Sequence, residues 1–164
     1  MLSLKIVLLV AVLVGCEAFP DGAPIEACIR EIPNRPNHPN TEPRSLASFK
    51  HSFTASDAYY APGSRIQVFI EGPAFKGFFI QARDVQRKDW IGHFEESDDI
   101  VSYPECSSVT HGNPRPKSRV VLTWVAPLDR SGTVTFTGTL LESYGSYWSD
   151  LIANVVPVVG HRLG

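Results

Sequence analysis

The chain has 164 residues, a formal net charge of −2 and 43% hydrophobic residues. These values are typical of one globular domain and do not fit a disordered or fibrous protein. A slightly acidic chain also lacks the bulk positive charge that attracts nucleic acid or an anionic membrane, so the composition predicts no nucleic-acid partner.

The N-terminus predicts secretion. Residues 1–18, MLSLKIVLLVAVLVGCEA, combine an early lysine, an apolar run and small residues that lead to Ala18. This is the pattern of a secretory signal peptide cleaved after Ala18. The alternative, a membrane anchor, is disfavoured because the run is shorter than the roughly 20 residues that cross a bilayer, and no later segment could span one. We expect residues 19–164 to form one secreted domain.

Cleavage at this position removes Cys16 and leaves two cysteines, Cys28 and Cys106. An even pair in an oxidising compartment predicts one structural disulfide. Neither cysteine lies in a CxxC motif, which disfavours a zinc site or a redox centre. The bond would close a loop of 78 positions (106 − 28) and tie the N-terminal segment to the rest of the domain.

Residues 19–43 are punctuated by prolines, in PDGAP and then in IPNRPNHPNTEP. Proline restricts its own φ and biases the preceding residue towards extended geometry. This segment therefore predicts an extended, proline-rich N-terminal arm without a helix or a ladder strand, anchored by Cys28.

Beyond the arm, apolar residues alternate with a period of two, which predicts strands. The pattern is clearest in RIQVFIEG, RVVLTWVAP and GTVTFTGTLLES, and weaker in FKHSFTAS and YWSDLIANVVPVV. About seven short strands predict an all-β fold, a two-layer antiparallel β-sandwich with Ig-like architecture. A true immunoglobulin domain is disfavoured because Cys28 lies in the arm.

One segment, FKGFFIQARD, is apolar on both faces. Phe78, Ile80 and Ala82 share one face, and Phe75 and Phe79 share the other. Such a strand is expected in the interior of a sheet that is covered on both sides. Its glycine, Gly77, predicts a bulge or a close backbone approach.

The sequence offers no clear catalytic, cofactor or metal site. It has no GxSxG, no glycine-rich phosphate loop and no histidine pair at HxH or HxxxH spacing. HFEESDD does cluster four carboxylates, Glu95, Glu96, Asp98 and Asp99. A solvated loop is favoured, although a hydrolase that uses two of these acids in one cleft stays open.

Two segments could form a ligand surface. ESYGSYW places three aromatic residues around a turn: Tyr144, Tyr147 and Trp148. Exposed aromatics stack on sugars or apolar ligands, but burial of Trp148 at the start of the last strand is the favoured alternative. HGNPRPKSR places three cations along a loop: Arg115, Lys117 and Arg119. One interpretation is that they bind phosphate or sulfate groups, and the alternative is that they serve only solubility. The same two alternatives, exposed or buried, apply to the tyrosines of DAYYAPG.

Several segments, in order, carry a resemblance: PDGAP before Cys28, PNH, YYAPGSRIQVFIEG, FKGFFIQARD, GHF, SSVTHGN after Cys106, LTWVAP and YWSDLIA. Together they resemble the reeler domain, and within it the small secreted insect defense-protein family. The resemblance implies an Ig-like β-sandwich, a Cys28–Cys106 disulfide and an innate-immune factor of the haemolymph. One departure is Pro39, which follows His38 and stiffens that loop.

The favoured function is a secreted, non-enzymatic defense protein that needs no cofactor. It is expected to be antimicrobial or to bind microbial surface components, either glycans or lipopolysaccharide-like molecules. Recognition or aggregation of microbes is favoured over direct killing, because the chain has no basic amphipathic helix. The alternative function is an extracellular adhesion or matrix module that binds host proteins.

Overall fold

The computed structural model describes residues 22–29, 34–36 and 38–156. The predicted signal peptide, residues 1–18, lies outside the described residues and stays a prediction. None of the helices among the described residues has the length and hydropathy of a membrane span. The strands are β1 (Ser52–Ala55), β2 (Tyr59–Tyr60), β3 (Arg65–Phe75), β4 (Gly77–Asp84), β5 (His93–Phe94), β6 (Ile100–Tyr103), β7 (Ser108–His111), β8 (Lys117–Val125), β9 (Gly132–Ser143), β10 (Ser146–Ile152) and β11 (Asn154–Val155).

These strands form the predicted all-β sandwich. One sheet has the order β11-β1-β3-β8-β5, and the other has the order β10-β9-β4-β7-β6 with β2 paired to β9. The described pairings are antiparallel except for β1 with β11. The predicted alternation is confirmed, because one residue in two along the long strands is buried between the sheets. The largest of these are Ile66, Ile70, Phe78, Ile80, Leu122, Trp124, Phe136 and Leu140.

The strand β4 is central and covered on both faces, as predicted. Phe78, Ile80 and Ala82 belong to the main core, whereas Phe79 packs on the outer face with the disulfide. The predicted face of Phe75 is wrong. Phe75 was expected to share the outer face with Phe79, but it ends β3 and lies in the main core. The intervening Lys76 belongs to neither strand, so the alternation does not continue across it.

Gly77 marks a close approach, although of a side chain and not of the backbone. A Cβ at this position would lie 2.8 Å from the His111 ring. The imidazole therefore occupies the space that a larger residue would need.

The N-terminal arm forms a third layer on the outer face of the six-stranded sheet. Its cysteine is joined to Cys106 with Cα atoms 5.8 Å apart. Farther along, Asn34 Nδ2 donates to Thr137 Oγ1 at 3.1 Å on β9, and Arg35 pairs with Asp150 at 2.9 Å on β10. The described parts of the arm thus contact the β6–β7 connection, β9 and β10.

The arm is not extended throughout, contrary to the prediction. Ile25–Ile29 forms a short 3-10 helix, in which Ala27 N donates to Pro24 O at 2.9 Å. Proline at the start of a helical turn costs little, because the N–H that it lacks would have no partner there. The stretch up to Cys28 has no further proline, so the helical turn can form.

The arm then passes round the edge strand β10 to reach the other sheet. Arg44 N donates to Tyr147 O at 2.8 Å, and Trp148 Nε1 donates to Ser48 Oγ at 3.0 Å. A 3-10 helix at Leu46–Ser48 leads into β1. Strand β10 is therefore covered on its outer face by the arm and on its inner face by the core.

Candidate binding surface

The two predicted ligand segments meet at one end of the sandwich, which we call the turn end. It contains the β3–β4, β7–β8 and β9–β10 connections. Lys117 Nζ, at the start of β8, donates to Lys76 O at 3.2 Å, and Lys76 N donates to Leu141 O at 2.8 Å. Leu141 is in turn the partner of Tyr147 across β9 and β10. Residues 120–141 separate the two segments in the sequence, and only strand pairing joins them.

Two of the three predicted aromatic residues are not on the surface. Tyr147 is 3% exposed and Trp148 is 1% exposed, so neither side chain is available to a ligand. Consecutive strand residues point to opposite faces. Tyr147 therefore lies under the arm and Trp148 lies in the core, which corrects the surface assignment and confirms the buried alternative for Trp148.

The third aromatic residue, Tyr144, is 44% exposed on the β9–β10 turn. Its ring stacks on the His38 ring with centroids 4.0 Å apart and planes at 18°. His38 Nδ1 also lies 2.7 Å from Tyr144 O. The arm thus fixes the orientation of the exposed ring, and no pattern around His38 in the sequence predicted this contact.

Polar groups lie beside this stack. Arg44 Nη1 donates to Glu142 Oε2 at 3.0 Å and to Ser146 Oγ at 3.2 Å. The Ser146 hydroxyl donates to the same carboxylate oxygen at 3.0 Å. We call this group the aromatic turn: His38, Arg44, Glu142, Tyr144 and Ser146. Its guanidinium, carboxylate and hydroxyl offer donors and acceptors around an aromatic face, which is the chemistry that sugar hydroxyls require.

The three predicted cations have two different roles. Arg115 pairs with Asp99 at 2.8 Å, and Arg119 pairs with Glu71 at 2.7 Å. Lys117 Nζ donates to the carbonyls of Asn113 and Arg115, both at 2.8 Å. Burial lowers the pKa of the Lys117 ammonium below its ordinary value. Lys117 is therefore a half-buried residue whose ammonium group holds the β7–β8 loop together.

The turn end carries almost balanced charge among the described residues. Its cations are Arg44, Lys50, Lys76, Arg115, Lys117 and Arg119. Its carboxylates are Glu42, Glu71, Asp98, Asp99 and Glu142. A surplus of one cation is too small to attract a polyanion strongly, so the aromatic turn is the better candidate site than the basic loop.

Two of the four carboxylates in the acidic segment pair with different arginines. Glu95 pairs with Arg65, and Asp99 pairs with Arg115. The described residues contain no group of three or more histidine, cysteine or acidic side chains that could hold a metal ion. These contacts give no support to a hydrolase that uses two of the four carboxylates in one cleft.

The opposite end of the sandwich, which we call the loop end, is anchored by the buried carboxylate of Asp84. Its Oδ1 accepts hydrogen bonds from Gln86 N at 2.9 Å and Arg87 N at 2.8 Å. Its Oδ2 accepts one from Tyr60 Oη at 2.9 Å. The backbone N–H of Arg87, together with the Tyr60 hydroxyl, holds the pKa of Asp84 below its ordinary value in spite of burial.

This arrangement predicts a specific dependence of stability on pH. A carboxyl whose pKa is lower in the folded state stabilises the fold above its unfolded pKa of about 4, and that contribution is lost as the pH falls through the folded pKa. We expect Asp84→Asn to lower the free energy of unfolding at pH 7 by about 1–3 kcal/mol. The difference from wild type should shrink in strong acid, as measured by urea unfolding across the acid range. A constant difference would contradict this role.

The chain is similar to known proteins of two kinds: long ones that it matches over about a quarter of their length, and short ones that it matches over their full length. The model of the reeler domain family matches residues 26–162. Ferric-chelate reductase 1 of Bos taurus is 30% identical over 146 residues, which cover 84% of this chain and 24% of that protein. The chain therefore spans about a quarter of such relatives. "Putative defense protein 3" of Antheraea mylitta is 29% identical over 175 residues, which cover 99% of this chain and 100% of that protein.

A solved structure agrees with the fold. The crystal structure of the human F-spondin reeler domain (fragment 1) superposes with a TM-score of 0.54 at 20% identity. The match covers 73% of this chain and 96% of that one. At this identity the likeness shows the shared β-sandwich alone.

Proposed function

This chain belongs to the reeler domain family, and from that we propose that it is a secreted, non-enzymatic defense protein that binds glycans of microbial surfaces at the aromatic turn. Relatives named as defense proteins match over their full length, whereas the ferric-chelate reductases match over a quarter of theirs. A predicted signal peptide and a disulfide that braces the arm both suit an extracellular protein.

The observation that carries the site is the exposed Tyr144 ring, held by its stack on His38. A rigid aromatic ring loses little conformational entropy when a ligand packs on it. Arg44 and Glu142 then supply a donor and an acceptor at the edge of the ring. Because the charges at this end nearly cancel, neutral glycans should bind about as well as anionic ones.

The test is binding of the mature protein to isolated microbial cell-wall polymers, namely peptidoglycan, β-glucan and lipopolysaccharide. We expect Tyr144→Ala to weaken binding about tenfold, which corresponds to about 1.4 kcal/mol, with little effect from salt. Tyr59→Ala is the matched control for peptidoglycan and β-glucan, which carry no lipid, since Tyr59 is an exposed tyrosine at the loop end. Unchanged folding of both variants would be verified by thermal unfolding.

The outcomes separate the site from the function. Binding that survives Tyr144→Ala would move the site elsewhere but leave the function in place. Failure to bind any microbial polymer would overturn the function and favour the alternative, an extracellular module that binds host proteins.

A further inference from the structure

Three strongly exposed apolar side chains lie at the loop end. Leu128 is 84% exposed, Tyr59 is 75% exposed and Val85 is 47% exposed. Single exposed apolar side chains are common on proteins, whereas a group of them in one place marks a site of contact with a protein or a membrane. The aromatic turn lies at the other end of the molecule, so these residues have no part in the proposed glycan site.

The three side chains come from segments that the fold brings together. Tyr59 pairs with Thr133 on β9, and Val85 N donates to Thr133 O at 3.0 Å from the other side of β9. Leu128 lies over the β2–β3 turn, where its Cδ2 is 3.1 Å from the position that a Cβ of Gly63 would take. Gly63 N donates to Pro127 O at 3.1 Å, which joins that turn to the β8–β9 loop.

These segments are held in fixed turns. Asp57 Oδ1 accepts hydrogen bonds from Ala58 N at 2.7 Å and Tyr59 N at 2.9 Å. Asp84 fixes the turn after Val85 in the same way. The exposed side chains are therefore presented by an ordered backbone, which reduces the entropy lost on binding.

Cations accompany the apolar side chains. Arg87 and Lys88 are exposed in the turn after β4, and neither forms an ion pair with another described residue. Arg130, by contrast, lies within 4 Å of both Asp89 and Asp129. Asp89 and Asp129 are thus already engaged. The carboxylates of Asp57 and Asp84 accept backbone hydrogen bonds within their own turns, and Arg87 and Lys88 remain beside the exposed Val85.

We propose that the loop end docks on an anionic lipid bilayer, with Leu128, Tyr59 and Val85 inserted at the surface and Arg87 and Lys88 on the headgroups. Apolar area and attraction to anionic lipid together determine interfacial binding. Tyrosine suits the boundary between acyl chain and headgroup because its ring is apolar and its hydroxyl is polar. Side chains that project singly fit a deformable bilayer better than a rigid protein face.

The inference does not depend on the proposed glycan function. The strand β4 runs from the turn end to the loop end and has eight residues, which span about 26 Å at about 3.3 Å per residue. A glycan and a bilayer could therefore be held at opposite ends of one molecule without competing.

The experiment is flotation of the mature protein with vesicles of phosphatidylcholine alone and of equal parts phosphatidylcholine and phosphatidylglycerol. Wild type should float with the anionic vesicles. The double variant Tyr59→Ser, Leu128→Ser should bind at least tenfold more weakly. Ile152→Ser is the matched control, because Ile152 is 65% exposed on β10, away from the loop end, and its removal should leave binding unchanged.

Two further variants separate the electrostatic contribution of the cations from the insertion of the apolar side chains. Arg87→Gln with Lys88→Gln should lower the preference for anionic vesicles about tenfold or more, since each cation near such a surface contributes about 1 kcal/mol. Leu128→Trp keeps an apolar side chain and adds a tryptophan to the three of wild type, so lipids brominated in the acyl chain should quench its emission more than that of wild type. Absence of wild-type flotation, equal loss in Ile152→Ser, or vesicle binding without quenching would each overturn the proposal.

Discussion

Replacement of Trp148 by alanine is expected to lower the free energy of unfolding by about 3–5 kcal/mol, the usual cost of truncating a fully buried large aromatic. The ring packs edge-on against Phe49 with centroids 5.5 Å apart and against His51 at 5.4 Å. Its Nε1 donates to Ser48 in the segment that leads the arm into β1. Truncation would therefore open a cavity and also remove a hydrogen bond between the two sheets.

Urea unfolding of wild type, Trp148→Ala and Tyr144→Ala measures this difference. Tyr144→Ala should change the free energy of unfolding by no more than about 0.5 kcal/mol, because its ring is partly exposed at a turn. Equal, small effects for the two variants would show that Trp148 is not a core residue. The comparison matters for function, since a loss of glycan binding in Trp148→Ala would report unfolding and not a lost contact.

Removal of the disulfide with Cys28→Ala and Cys106→Ala should lower the free energy of unfolding by up to about 4–5 kcal/mol, the upper value for a loop of 78 positions. The bond joins the arm to the outer face of the six-stranded sheet, where it packs with Ala27 and Phe79. Without it, the arm has to be held by hydrogen bonds and by exposed ion pairs, which contribute little.

The arm itself offers a control for this prediction. Arg35→Ala removes the exposed ion pair with Asp150 and should cost no more than about 1 kcal/mol. Limited proteolysis would follow the arm directly, and cleavage before β1 should be faster in the double cysteine variant than in wild type or Arg35→Ala. Equal proteolysis rates would contradict the bracing role of the bond.

The disulfide also bears on the proposed glycan site. His38, which orients the Tyr144 ring, is carried by the same arm. If the arm detached, the ring would remain exposed but lose its fixed orientation. Weaker glycan binding in the double cysteine variant, with the sandwich still folded, would show that the disulfide supports the proposed glycan site.

The alternation of apolar residues was enough to predict the strands and the faces that they bury. Ile66, Val68 and Ile70 point into the core as predicted, because the period of two is a property of the extended backbone itself. The disulfide followed from counting, because removal of the predicted signal peptide leaves one pair of cysteines. Motif order along the chain was enough to identify the family.

Other features depended on contacts between distant segments. Both faces of β10 are covered, and the outer one is covered by the arm, where Arg44 N meets Tyr147 O across 103 positions (147 − 44). Nothing near Tyr147 in the sequence signals this cover, so its exposure was predicted wrongly. The role of the basic loop also depended on such contacts, since Asp99 pairs with Arg115 from another strand connection.

Local patterns along the chain were therefore enough to predict the strands, the fold class, the disulfide and the family. Which aromatic and charged side chains remain available at the surface became clear only from the packing of distant segments. The physical reason is that strand periodicity is local, whereas burial and ion pairing depend on which other segment packs against a face. Tyr144 and Tyr147 are three positions apart on one hairpin, yet one is exposed and the other is covered by residues from the opposite end of the chain.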